Sequence, residues 1–206
     1  MPATIGAGPL HARAASSGAG PALPTTLQIR NVVASATVAG SLRLEDLAAS
    51  IPRTGYDRRV ARLVIRIAAP KATALVFGSG KIVLTGLADP GSAGPALEAV
   101  LAVLRGAGAA LDEPLPAPAI VNLVASGTLG ERVALHRLAI SRSLDRIEFD
   151  PEQFPGLVYR SEAGGVALVF GTGSVVVTGV RSLERSRAVA AEVQAMVAAA
   201  GAFLLK

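Results

Sequence analysis

Residues 74–86 read ALVFGSGKIVLTG, and residues 167–179 read ALVFGTGSVVVTG. Nine of the thirteen positions are identical at a constant offset of 93. So dense a match within one chain marks an internal repeat, and every other segment is read in its light. Upstream, Asn31-Val-Val-Ala-Ser35 answers Asn122-Leu-Val-Ala-Ser126 at an offset of 91. The step from 91 to 93 places a two-residue insertion between these blocks in the second half. The chain reads as a tandem duplication, 27–113 and 114–206, joined near the proline-rich Pro114–Pro118.

Each half repeats one series of elements. An alternating stretch predicts a strand over Leu27–Val38, followed by a short helix over Leu42–Ile51. Strands are expected near Val60–Ala68, Ala72–Phe77 and Lys81–Thr85, the last two joined by Gly78-Ser-Gly80, which has the residue types of a tight hairpin. An amphipathic helix follows over Pro95–Arg105, with a proline in its first turn and Gly106 after its last periodic residue. The second half closes on a helix from Leu183 to Ala199. Strands sheltered on one side by helices give an α+β fold with a largely antiparallel sheet. Two copies of one unit, neither complete alone, predict a single continuous sheet with internal pseudo-two-fold symmetry.

Side chains two apart on a strand share a face. Asn31 and Val33 therefore point one way, as do Leu75 and Phe77, and Val83 and Thr85. The second half supplies Asn122 and Val124, Leu168 and Phe170, Val176 and Thr178. Both halves present the same six residues in the same order, and Asn31 and Asn122 are the only two asparagines in the chain. The opposite face, with Val32, Ala34, Val76, Ile82 and Leu84, is apolar too and should meet the helices. A sheet apolar on both faces, with helices for one, leaves the other seeking a partner. Asn and Thr donors set among aliphatics suit the minor groove of A·T pairs, whose edges offer only acceptors. A guanine amino group there would clash or go unpaired.

Composition narrows the remaining classes. The 206 residues carry 20 basic and 15 acidic side chains, a net charge of +5 that permits nucleic-acid binding without demanding it. The densest basic patch is Arg58, Arg59, Arg62 and Arg66. Without cysteine there is no disulfide framework or thiolate metal site. His11 and His136 are too few for a metal cluster, so no cofactor is expected. Gly80-Lys81 is followed by Ile82, which rules out the phosphate-cradling GxxxxGK[ST] loop, and no G-x-S-x-G elbow occurs. The reading is of a non-enzyme. No apolar run reaches the roughly 20 residues needed to span a bilayer, so a soluble protein without a membrane partner is expected. Residues 1–26, rich in Ala, Gly, Pro and Ser with Arg13 as their one charge, are read as a disordered tail.

The Asn-x-Val-Ala-Ser blocks, the two LVFGxG hairpins with their VxTG continuations, and Pro151-Glu-Gln-Phe-Pro-Gly-Leu-Val-Tyr-Arg160 resemble the TATA-box-binding proteins over about residues 27–200. Both the archaeal and the eukaryotic families are possible sources, the short core looking more archaeal, which would place the protein with the cytoplasmic nucleoid, or in the nucleus if it is eukaryotic. The resemblance implies a ten-stranded saddle, helices on its convex side, with A·T-rich double-stranded promoter DNA beneath. This family is itself the standard example of a protein that kinks the minor groove with apolar wedges. The resemblance makes Asn31, Asn122, Thr85 and Thr178 the central polar contacts and Val33, Val83, Val124 and Val176 the apolar floor. Leu75 and Leu168 stand beside the wedges. Arg66 and Arg160 reach the DNA backbone, and Arg58, Arg59 and Lys81 fall at basic positions of the first repeat. Three of the four wedge phenylalanines are matched by Phe77, Phe154 and Phe170, while Val60 holds the fourth position. A weaker grip at the first-repeat end is the expected consequence. Asp150, Glu152 and Gln153 match the acidic loop that meets a B-type initiation factor, through which RNA polymerase is recruited. Two other readings remain open: a divergent saddle acting as an interaction module with weak or non-specific nucleic-acid binding, and an accessory domain of an enzyme.

Overall fold

A computed structural model describes residues 26–140 and 146–204. The expected tail lies outside these residues apart from Thr26, which opens the first strand. In chain order the elements are β1 (Thr26–Thr37), α1 (Leu44–Ser50), β2 (Gly55–Asp57), β3 (Arg62–Ile67), β4 (Ala72–Phe77), β5 (Lys81–Leu87) and α2 (Ala93–Gly106). The second half runs β6 (Ala119–Thr128), β7 (Arg132–Val133), α3 (Leu135–Ile140), β8 (Ile147–Glu148), β9 (Gly156–Arg160), β10 (Val166–Phe170), β11 (Ser174–Val180), α4 (Leu183–Ala199) and β12 (Phe203–Leu204).

Ten strands form one sheet in the order β2-β3-β4-β5-β1-β6-β11-β10-β9-β8, and every neighbouring pair is antiparallel. The order is a palindrome of the two repeats about the β1–β6 seam. Along that seam Asn31 pairs with Val124, Val32 with Leu123 and Val33 with Asn122. Shifting each residue by the repeat offset of 91 maps the first pair onto the third and leaves the second in place. The pseudo-dyad therefore passes through the Val32–Leu123 pair, and the expectation of one continuous pseudo-symmetric sheet holds.

The helices cover one face because only one of their own faces is apolar. Along α2, Ala93, Ala96, Leu97, Val100, Leu101 and Leu104 recur at three- and four-residue steps and are buried against β3 and β5. On α4 the same spacing buries Val189, Ala190, Val193, Met196 and Val197 against β11, β10, β6 and β1. Ser182 caps α4, its hydroxyl accepting the Arg185 N–H at 3.1 Å. Beneath the helices Val32, Ala34, Val76, Ile82, Leu84, Leu123, Val169 and Val177 are fully buried. Their neighbours in sequence, on the other face, are half-buried or exposed.

Three features depart from the sequence reading. The strand expected from Val60 starts only at Arg62, because Ala61 adopts a positive φ of 44° and turns the chain. Val60 thus lies in a turn, 53% exposed. The edge strands β2 and β8 and the small β7–β12 sheet are two or three residues long, too short to leave a period in the sequence. Gly106 ends α2 from within, and the left-handed residue that follows is Gly108.

Candidate nucleic-acid interface

The face that the helices leave uncovered carries the repeated polar and aliphatic residues. At its centre Asn31 and Asn122 lie diagonally across the seam, each beside a valine of the other repeat. A bulge sets each asparagine's orientation. On β5 the pairing with β1 slips between Val32 and Ala34, and the residues left over are Thr85 and Gly86. Gly86 has a φ of +81°, which L side chains rarely adopt, and this turns its N–H toward Asn31. That N–H donates to Asn31 Oδ1 at 2.8 Å, and Asn31 Nδ2 reaches Thr85 Oγ1 at 3.5 Å. The second repeat copies the device. Gly179, at φ +74°, donates to Asn122 Oδ1 at 2.9 Å, and Asn122 Nδ2 stands 3.4 Å from Thr178 Oγ1.

The chemistry follows from the inventory of these groups. A backbone N–H can be accepted only by the amide oxygen, so each side-chain amide is fixed with its oxygen turned inward. One amide hydrogen goes to the threonine, and the other is left to donate. Each threonine oxygen accepts from the asparagine, which frees its hydroxyl hydrogen to donate as well. Four polar side chains at the centre of an aliphatic face are thus set as donors.

Flanking them are two aliphatic rows in register. Val83 pairs with Leu75 and Leu75 with Val64; in the second repeat Val176 pairs with Leu168 and Leu168 with Val158. All six are half-buried. At the second-repeat end Phe154 and Phe170 stand edge to face, with ring centroids 5.8 Å apart and planes at 68°. They meet over Gly156, the Cα partner of Phe170, where a Cβ would lie 2.7 Å from Phe154 Cε1 and 3.1 Å from Phe170 Cε1. At the first-repeat end Phe77 is half-buried, Val60 protrudes from its turn, and the Cα partner of Phe77 is Arg62.

The family model described as "Transcription factor TFIID (or TATA-binding protein, TBP)" matches residues 26–107 and again 117–200. This chain belongs to that family. The TATA-box-binding protein 1 of Haloferax volcanii is 42% identical over 156 residues, covering 75% of this chain and 82% of its own length. The TATA-box-binding protein of Archaeoglobus fulgidus is 40% identical over 164 residues, covering 78% of this chain and 88% of its own. Among solved structures, the TBP of Methanococcus jannaschii superposes with a TM-score of 0.74 at 32% identity, over 84% of this chain and 98% of that one. The chain is thus a member of the TATA-binding protein family with its saddle fold, a DNA-binding transcription factor and not an enzyme.

Charge is unequally shared between the ends of the saddle. Among the described residues Arg58, Arg59, Arg62, Arg66 and Lys81 form no ion pair, whereas Arg160 stands 3.4 Å from Glu148, and Arg146 pairs with Glu162. Tyr56 tethers the first loop to α1 by donating to Glu45 Oε1 at 2.5 Å. That bond holds the Glu45 carboxyl below its ordinary range and pushes the Tyr56 hydroxyl up. In the second loop Asp150 is used internally. Its carboxylate accepts the Glu152 N–H at 3.1 Å and Gln153 Nε2 at 2.8 Å, and its carbonyl accepts the Phe154 N–H at 2.9 Å. Glu152 remains exposed.

The structure brings together every aliphatic and polar residue singled out on the central strands. It adds Val64 and Val158, which complete the aliphatic rows. Counting back by two from Arg66 and Arg160 reaches them, but β3 and β9 lack the near-identity that drew attention to the hairpins. Arg30 has Val121 as its repeat counterpart, so the repeat does not mark it. It is the extra residue of a bulge between Ile29 and Asn31, and its Nε donates to Ser126 Oγ at 2.6 Å across the seam. No helix is long and apolar enough to cross a membrane, and no cluster of metal-ligating side chains occurs among the described residues.

Proposed function

We propose that this protein binds A·T-rich, TATA-like promoter DNA through its uncovered face, which lies in the minor groove. One observation carries the reading: Asn31, Asn122, Thr85 and Thr178 are held as donors at the centre of an aliphatic surface. A·T and T·A pairs present only acceptors in that groove, whereas a G·C pair adds an amino donor. A donor array therefore accepts the first and meets the second donor to donor. The near-symmetry of A·T runs in the minor groove suits the pseudo-dyad between β1 and β6.

Phe154, Phe170 and Phe77 act as wedges that kink the duplex at the two ends of the site. Arg58, Arg59, Arg66, Arg160 and Lys81 hold the phosphates. The loop bearing Asp150, Glu152 and Gln153 meets a B-type initiation factor, and RNA polymerase follows. The protein works wherever the genome lies, with no membrane partner.

A mobility-shift titration of an A·T-rich duplex against a G·C-rich one tests this reading. The A·T-rich duplex should bind more tightly, and Asn31→Ala with Asn122→Ala should erase most of the difference. The double substitution should cost on the order of 1–3 kcal/mol per lost contact pair. Equal affinity for both duplexes would instead support an interaction module with weak, non-specific nucleic-acid binding, a reading favoured by the exposed Val60 and the paired Arg160.

A further inference from the structure

The two ends of the saddle differ by a paired exchange. At the second-repeat end the strand position opposite Phe170 is Gly156, and the preceding loop supplies the ring of Phe154. At the first-repeat end the strand position opposite Phe77 is Arg62, and the loop supplies Val60. Aligning Val60 with Phe154 and Arg66 with Arg160 aligns Arg62 with Gly156. Gly156 cannot take a side chain without displacing its rings, since a Cβ there would lie 2.7 Å from Phe154 and 3.1 Å from Phe170. As the two rings stand over Gly156, they leave no room for a Cβ. The first repeat has the side chain, and the second has the rings.

Arg62 is not spare surface charge. Its neighbour in the sheet is Phe77, and the two share the uncovered face. Its Nε is shielded from solvent and has no hydrogen-bond partner, and no carboxylate pairs with its guanidinium among the described residues. The Nε is therefore held against the sheet, and the charge of the guanidinium is left unpaired on the face assigned to DNA.

We propose that Arg62 replaces the missing wedge ring. At this end the DNA meets one phenyl ring, Phe77, and one guanidinium, which enters the negatively charged minor groove at the kinked step. The inference rests on the DNA-binding reading above. It gives the saddle a polarity: one end holds by apolar insertion, the other by insertion plus charge. The grip at the charged end should weaken with salt, because a cation placed in the groove releases condensed counterions.

The test measures affinity and salt dependence with a dye-labelled A·T-rich duplex. Arg62→Met keeps an unbranched apolar stem and removes only the charge. Its slope of log affinity against log salt should be shallower than wild type by about one. At low salt its affinity should fall on the order of tenfold. Arg105→Met, on α2 away from this face, is the control and should change neither. Val60→Phe alone should gain little, because Arg62 fills the place the ring needs. In the Arg62→Gly background Val60→Phe should recover affinity, with a larger bend and the shallower slope. A wild-type slope and affinity in Arg62→Met would overturn the inference, as would a Val60→Phe gain of equal size with and without Arg62. Both results leave the DNA-binding reading standing. A wild-type protein that bound neither an A·T-rich nor a G·C-rich duplex would sink that reading and this inference together.

Discussion

Asn31 Oδ1 accepts the Gly86 N–H at 2.8 Å, and this one bond decides which way the amide faces. The residue could keep the bond and lose its donors if it were a carboxylate. Asn31→Asp with Asn122→Asp is therefore a sharper test than truncation. The Gly86 and Gly179 N–H groups would still be satisfied, so the melting temperature should move little. The face would now present acceptors, and charge, to a groove of acceptors. Loss of A·T-rich binding of at least 1–3 kcal/mol per site is expected, from titrations on a protein shown by circular dichroism to be folded. Retained affinity would mean that these amides do not face the bases.

Much of this arrangement was legible because the repeat carries it. Two copies of a six-residue face, in strands whose period is two, fix which residues stand together without any knowledge of the turns. The Asn–Thr proximity followed from shared facing, but the Gly86 bulge did not, because a glycine after Thr85 reads as an ordinary strand end. Arg62 was visible only as a member of a basic patch. Its position over the strand became clear when the register set it opposite Phe77 and Gly156 opposite Phe170. The short edge strands and the small second sheet depend on pairing partners far along the chain. Local propensity does not encode these.

The Ser182 hydroxyl satisfies the Arg185 N–H in the first turn of α4, the longest helix over the sheet. Ser182→Ala should lower unfolding free energy by about 1 kcal/mol in denaturant titration. Affinity for DNA, measured well below the melting transition, should be unchanged, since the cap lies on the helical side. A coupled loss of affinity would show that helix packing and the DNA face are linked.

The bond from Tyr56 to Glu45 gives the first loop a pH signature. Glu45 titrates below its unfolded value, so its share of stability is present above the ordinary carboxylate range. That share is lost as pH falls through the lowered value. Tyr56 titrates above its unfolded value, so its share holds through neutral pH and is lost only as pH rises through the raised one. Protection of the Tyr56–Ala61 amides, taken relative to their intrinsic exchange rates, should fall at both extremes in wild type. In Tyr56→Phe the exchange should already be fast at neutral pH, with no acid step. An unchanged acid step would assign it to another carboxylate.

In the second loop the internal role of Asp150 separates it from Glu152. Glu152→Arg should leave DNA binding intact and reduce assembly of the ternary complex with a B-type initiation factor, as read in a supershift assay. Asp150→Ala should act differently. It removes the acceptor for the Glu152 N–H and the Gln153 amide, so the whole loop loosens and Phe154 with it. Both DNA bending and factor recruitment should then suffer. If Glu152→Arg assembles as well as wild type, the loop's acids are solvated charges and no more.

The wedges themselves should be unequal. Phe170 shares its site with Phe154 at 5.8 Å, whereas Phe77 has no second ring beside it among the described residues. A flat ring laid on a base step offsets part of the cost of unstacking it, which a valine or a guanidinium reaching past the step does less completely. Phe170→Ala breaks a packed pair and leaves Phe154 without its edge contact, so it removes more than one ring's insertion. Phe77→Ala leaves Arg62 in place to hold the same end by charge. Phe170→Ala should therefore reduce both affinity and bend more than Phe77→Ala. Energy transfer between dyes on the two ends of a short A·T-rich duplex reads the bend directly. Equal damage from the two substitutions at every salt concentration would mean that the ends grip alike and that the asymmetry of Val60 and Arg62 has no bearing on DNA.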